Sequence, residues 1–79
     1  MTKKHTHEDL IAQVKSHGWN LITGDKDKKV SGTLEDVLKD AHQRHQAGEK
    51  PGLIRRIENT IELDMIEIEK LWRYLGLPV

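Results

Sequence analysis

The chain has 79 residues, and its thirteen basic and thirteen acidic side chains cancel to a formal net charge of zero. Nucleic-acid-binding domains usually carry a basic excess, because phosphate contacts supply much of their affinity, so the neutral total argues against that class. Cysteine is absent, which excludes disulfides, thiol catalysis and thiolate metal sites.

A chain of this length predicts one small domain over residues 1–79, with residues 1–5 as a disordered tail. Such a domain buries only about 60% of the surface that its unfolded chain exposes, so a partner chain is the expected additional support. The first residues lack the apolar core of a signal peptide, and no stretch approaches the roughly 18 apolar residues of a membrane span. We therefore expect a cytoplasmic protein.

Two capped helices are predicted in the first two thirds of the chain. Thr6 fits the N-cap of a helix over residues 7–17, and Thr33 fits the N-cap of a second helix over 34–47. Residues 19–31 between them contain strand formers and a turn. A short β-hairpin and an irregular loop both remain open there, since the second arm has little apolar surface to bury.

A third, longer helix is predicted over residues 53–75, because this stretch contains neither Gly nor Pro and its apolar residues recur in steps of three and four. At about 1.5 Å per residue it would be roughly 35 Å long, enough to cross or overhang the domain. Gly76 is expected to end it in a Schellman motif. The residues of the predicted apolar stripe are Ile54, Ile57, Ile61, Met65, Ile68, Trp72 and Leu75.

The predicted fold class is therefore mainly α, with three helices. The short linker at residues 48–52 favours an αα-hairpin in which the second helix packs antiparallel to the third. The third helix is the organising element of this arrangement.

The side of the third helix opposite its main stripe predicts an interface formed by Leu63, Ile66, Lys70 and Tyr74. Two interpretations of this side stay open. Leu63 and Ile66 contact a second chain, which predicts a homodimer or a complex with another protein, or they pack against the first helix. Both can hold at different heights of so long a helix.

Histidines and carboxylates suggest a metal site as an alternative. His42 and His45 stand three apart on the second helix, and the third helix would carry Glu58 and Glu62 on one flank. The chain lacks the Glu-x-x-His motif of di-iron bundles, and solvated histidines near a helix C-terminus are the usual case.

A second alternative is a nucleic-acid-binding regulator that uses the start of the third helix, where Arg55, Arg56 and Asn59 lie. No nucleophile, phosphate loop or calcium loop has the required spacing, so we expect no enzyme and no cofactor. The favoured hypothesis is a small non-enzymatic interaction or regulatory protein that acts through a helical surface.

Overall fold

A computed structural model describes residues 6–23 and 26–79 of the chain. The predicted tail at residues 1–5 and the turn residues Gly24 and Asp25 lie outside the described residues. In chain order the elements are α1 (His7–Ala12), β1 (Trp19–Thr23), β2 (Lys26–Gly32), α2 (Leu34–Gln46), β3 (Pro51–Arg55), β4 (Ile61–Leu63) and α3 (Met65–Tyr74).

The strands form one four-stranded sheet in the order β2-β1-β3-β4, and every neighbouring pair is antiparallel. In its centre Leu21 of β1 lies opposite Val30 of β2 on one side and Leu53 of β3 on the other. Leu53 in turn lies opposite Leu63 of β4. These directly opposed pairs contact through their side chains, which places an apolar row across the sheet.

This architecture is mixed α/β, so the predicted mainly α fold class is wrong. Of the two alternatives for residues 19–31, the hairpin is the one observed, formed by β1 and β2. The predicted αα-hairpin is also wrong, because β3 and β4 separate α2 from α3 in the chain. The two helices nevertheless pack against each other in space.

The mainly α prediction failed at residues 53–63, which were expected to begin the third helix but form two antiparallel strands. Ile61 and Leu63 are both buried while the residue between them is exposed, which is the alternation of a strand. The chain reverses before β4, and Glu58 lies in the left-handed region with φ of 64°. A glutamate here adopts a conformation that glycine usually adopts. The sequence therefore has no Gly or Pro that would predict the reversal.

The predicted helix starts at Thr6 and Thr33 are confirmed by their hydrogen bonds. The Thr6 side chain accepts from the backbone N–H of Asp9, whose carboxylate accepts from Thr6 N–H, so both halves of a capping box are present. The Thr33 side chain accepts from the backbone N–H of Asp36 and so caps the start of α2. However, α1 ends at Ala12 and not at residue 17.

The third helix begins only after Asp64, whose side chain accepts a hydrogen bond from the backbone of Glu67. At its other end Gly76 has φ of 79°, and the N–H of Leu77 donates to the Trp72 carbonyl. Those features confirm the predicted Schellman ending. With ten residues α3 is about 15 Å long. It does not overhang a domain whose longest extent is 32 Å.

One apolar core joins the three helices to one face of the sheet. Trp19, Leu21 and Leu53 point into it from the strands, and their neighbours in sequence point to the opposite face. The largest fully buried side chains are Trp19, Trp72, Leu10, Leu21, Leu34, Leu38, Leu53, Ile68, Leu71 and Val37. Among the helices of residues 6–23 and 26–79, none combines the length and apolar character that crossing a membrane requires.

An ion-pair cluster joins the turn after α1 to the first turn of α2. Glu35 accepts from Lys15 at one carboxylate oxygen and lies 3.2 Å from Lys39 at the other. The hydrogen bond from Lys15, followed by that from Lys39, lowers the pKa of Glu35 below its ordinary value of 4.5. The same contact with Glu35 raises the pKa of Lys15 above 10.5.

Replacing Glu58 by glycine should stabilise the fold by about 0.5–1 kcal/mol. The left-handed conformation costs an L-residue about 1–2 kcal/mol, and glycine avoids that cost but loses more backbone entropy on folding. Urea unfolding followed by circular dichroism measures the change. The control is Glu62→Gly in β4, which should destabilise, and equal effects of the two substitutions would contradict the role of the Glu58 conformation.

The ion pair predicts a pH-dependent loss of stability. Because the folded pKa of Glu35 is lowered, its contribution is fully present above the unfolded pKa near 4.5 and is lost as the pH falls through the folded value. We expect Glu35→Gln to lower Tm at pH 7 and to have no effect once the pH lies below the folded pKa. Glu49→Gln, at an exposed acid, is the control, and a constant difference in Tm at all pH values would contradict the assignment.

Candidate interaction surface

The exposed side of α3 forms a compact surface that we call the outer face, consisting of Ile66, Lys70, Arg73 and Tyr74. All four side chains are exposed, whereas Ile68, Leu71 and Trp72 of the same helix are buried. At about 100° per residue the four exposed positions fall within one sector of roughly 100° around the helix. The outer face is therefore one continuous strip.

The two apolar members of the outer face are unusually accessible. Ile66 retains 65% of its surface and Tyr74 retains 53%. They lie eight residues apart, or about 12 Å along the helix, with Lys70 between them. A side chain such as Tyr, with an apolar ring and a polar tip, is common at protein–protein contacts.

A shallow concavity of about 510 Å³ adjoins the outer face, and His7 of α1 completes its lining together with Lys70, Arg73 and Tyr74. We call it the α1–α3 concavity. The His7 ring stands edge-on to the Tyr74 ring, with 6.4 Å between ring centroids and an angle of 82° between planes. His7 Nδ1 is shielded from solvent and has no hydrogen-bond partner in the part of the chain that the structure describes.

The position of His7 follows from how α1 is held. Thr6 fixes the start of α1 through its capping box, and Leu10 buries itself in the core one turn later. This apolar anchor packs α1 against α3. His7 is consequently carried to the end of α3 where Tyr74 lies.

The charge of the concavity is positive and is not compensated by ion pairs. The ion pairs among residues 6–23 and 26–79 involve Glu35 and Asp40, and neither Lys70 nor Arg73 takes part in one. Glu67 and Glu69 border the outer face on its two sides and are half-buried. The surface thus combines two cations with two apolar groups and has acids at its edges.

The structure brings together three of the four residues predicted as an interface. Ile66, Lys70 and Tyr74 share the outer face, whereas Leu63 retains only 5% exposure and belongs to the core. Leu63 is therefore packed within the chain, on the buried face of β4. The prediction did not include His7, the first residue of the helix predicted over 7–17, or Arg73, whose spacing of three from Lys70 was a signal that could have identified it.

The histidines proposed as metal ligands instead contact an aromatic ring. The ring centroids of His42 and His45 each lie 5.2 Å from the centroid of Trp72. His42 Nε2 also lies within hydrogen-bonding distance of the Pro78 carbonyl. Glu58 lies in the β3–β4 loop, and Glu62 lies in β4. No cluster of three or more potential metal ligands occurs in the described ranges 6–23 and 26–79.

The residues of the nucleic-acid alternative are also redistributed. Arg55 lies in β3 and donates to the Gln13 side chain at 3.3 Å, so its guanidinium is engaged within the chain. Arg56 and Asn59 are exposed in the loop that contains Glu58. No helix begins at these residues, so the recognition-helix geometry on which that alternative depended is not formed.

Comparison with known proteins found no matching family model, no matching curated protein and no matching solved structure.

Substitutions at the two apolar residues of the predicted interface should have different effects. Leu63→Glu would place an unpaired charge in the core and should unfold the domain. Ile66→Glu should keep the fold and change stability by no more than about 0.5 kcal/mol, since it lies on the surface. Circular dichroism and urea unfolding of both variants test this, and a folded Leu63→Glu variant would contradict the assignment of Leu63 to the core.

Proposed function

We propose that this protein is a small non-enzymatic interaction module, of regulatory type, whose partner protein docks on the outer face of α3. The observation that carries the proposal is the exposure of Ile66 and Tyr74 on the same strip of a helix whose other side is anchored in the core. Apolar and aromatic groups gathered in this way mark protein-binding surfaces more than isolated exposed residues do. Ile22 and Ile57 are also exposed, but they lie apart, in a strand and in a loop.

The two serine hydroxyls, Ser16 and Ser31, support a non-enzymatic role. Ser16 donates to the Gln13 carbonyl and accepts from the Trp19 indole, and Ser31 donates to the Asn20 side chain. Both serines thus serve local structure. The α1–α3 concavity is lined by His7 and two cations with a tyrosine, and its lining contains no nucleophile–base pair of the kind that covalent catalysis requires.

A partner other than a second copy fits the outer face best. A two-fold antiparallel pairing of α3 with its copy, centred on the outer face, would bring Lys70 close to Lys70 of the other chain. Like charges in contact are destabilising, and no described ion pair on this face offsets them. A homodimer, which the sequence favoured, therefore becomes the alternative occupant.

Site-specific photo-cross-linking in cells that express the protein tests this proposal. A photoreactive phenylalanine analogue at Ile66 or Tyr74 should yield cross-linked protein adducts, because these positions lie at the contact. The control is the same analogue at Gln43, an exposed position of α2, which should yield none. Equal cross-linking from all three positions, or none from Ile66 and Tyr74, would contradict the proposed surface.

The mass of the adduct identifies the class of partner. An adduct of about twice the 9.1 kDa chain mass, containing only peptides of this protein, would contradict the assignment to another protein and support the homodimer. Sedimentation equilibrium of the purified chain measures its oligomeric state independently. We expect a monomer at micromolar concentrations, and a dimer that Ile66→Glu converts to monomer would overturn the choice of occupant.

A further inference from the structure

We infer that the α1–α3 concavity recognises an acidic segment of the partner, with a carboxylate held by Lys70 and Arg73 and a neighbouring apolar side chain on Tyr74 or Ile66. This inference rests on the proposed function and names the chemistry of its partner. It depends on the arrangement of donors, on the dimensions of the outer face and on the charges around it.

The donors of the concavity converge on one place. Lys70 and Arg73 are three residues apart on α3, so their side chains project from the same side of the helix. Both line the concavity, and neither forms an ion pair in the part of the chain described. A guanidinium can hold both oxygens of a carboxylate, and a nearby ammonium adds a second charge-assisted contact. The pair is thus suited to a carboxylate group.

His7 forms the α1 side of the concavity. Its Nδ1 atom is shielded from solvent without a hydrogen-bond partner among the described residues, a condition that costs free energy in a folded protein. The ring stands against Tyr74 and lines the concavity, so a bound segment can pack against the ring itself. His7 therefore contributes ring surface beside Tyr74, while Lys70 and Arg73 supply the charged donors.

The dimensions of the outer face fit a short extended segment. Ile66 and Tyr74 lie about 12 Å apart along α3. An extended chain rises about 3.3 Å per residue, so roughly four residues span this distance. A segment with an apolar residue among acids can therefore place its side chain on either apolar end while a carboxylate reaches the cations between them.

The surrounding charges favour a short acidic peptide over a nucleic acid. A nucleic acid strand carries a phosphate at each nucleotide and needs a continuous basic track. Here Glu67 and Glu69 border the outer face, and Glu8 is exposed beside His7 on α1. A long polyanion would meet these acids, whereas a segment with a few carboxylates can be placed between them.

A titration of the full chain, labelled with ¹⁵N, tests the inference by nuclear magnetic resonance. The probe is the end-capped peptide Glu-Leu-Glu-Glu, used up to about 5 mM because so short a ligand buries little surface and binds weakly. We expect its amide shifts to cluster at His7, Lys70, Arg73 and Tyr74. The end-capped peptide Lys-Leu-Lys-Lys should produce none there.

The variant Lys70→Glu/Arg73→Glu should bind the acidic peptide at least tenfold more weakly, since two charge-assisted contacts are replaced by repulsion. Both residues are exposed, so the fold should persist, and the ¹⁵N spectrum verifies it. Lys50→Glu, at an exposed lysine in the α2–β3 loop, is the matched control and should bind as the original chain does.

Three outcomes would overturn the inference. They are an absence of shifts with the acidic peptide, an equal loss of binding in Lys50→Glu, and tighter binding of a ten-nucleotide oligothymidine to the same residues. If cross-links from Ile66 and Tyr74 persist while the acidic peptide fails, the partner chemistry is wrong and the interaction surface stands. If the cross-links are absent, the proposed function itself fails.

Discussion

The burial of Trp72 is the interaction that determines the orientation of α3 and therefore the surface it presents. Its side chain is fully buried, and its indole N–H donates to the Leu38 carbonyl of α2 at 2.9 Å. This bond satisfies the polar atom of an otherwise apolar group and specifies one rotation of α3 about its axis. Lys70 and Tyr74 lie about 160° around the helix from Trp72, so they must face away from the core.

Contacts with Trp72 also explain why α2 carries His42 and His45. His42 meets the Trp72 ring edge-on, and His45 lies tilted against it, so the indole contacts two imidazoles. His42 also contacts the Pro78 carbonyl beyond the end of α3. Their spacing of three, which suggested shared metal ligands, follows equally from the need for two side chains on one face of α2 to contact one large ring. The spacing of the two histidines is compatible with metal binding and with packing against an aromatic ring, so it could not distinguish the two roles.

The helix starts could be predicted because their signals are local. Thr6 and Thr33 bond to backbone atoms three residues away, and Gly76 adopts the left-handed conformation that its own backbone permits. Residues 53–63 could not be assigned in this way, since their strands depend on pairing with β1, which is distant in sequence. The chain reversal at Glu58 could not be predicted either, because a glutamate in the sequence does not indicate a left-handed backbone conformation.

Three of the four residues predicted as an interface share one side of α3 because of helical phase. Residues 66–74 are helical both in the prediction and in the structure, so the relative directions of Ile66, Lys70 and Tyr74 are the same in each. Leu63 precedes the Asp64 cap, where the chain is a strand, and its direction is set by the pleat of β4 instead. A helical projection is valid only within one uninterrupted helix.

The neutral total charge does not show how the charges are distributed over the surface. This distribution determines the charge of the outer face. Glu35 and Asp40 are compensated by Lys15, Lys39 and Arg44 along α2 and its neighbouring turn. Lys70 and Arg73 have no such partners in the described residues and lie beside exposed apolar groups. Composition therefore argues against a broadly basic nucleic-acid-binding surface but says nothing about a patch of two cations. Such a patch gains specificity because a misplaced like charge is costly, while the apolar groups beside it supply contact area that charge alone does not provide.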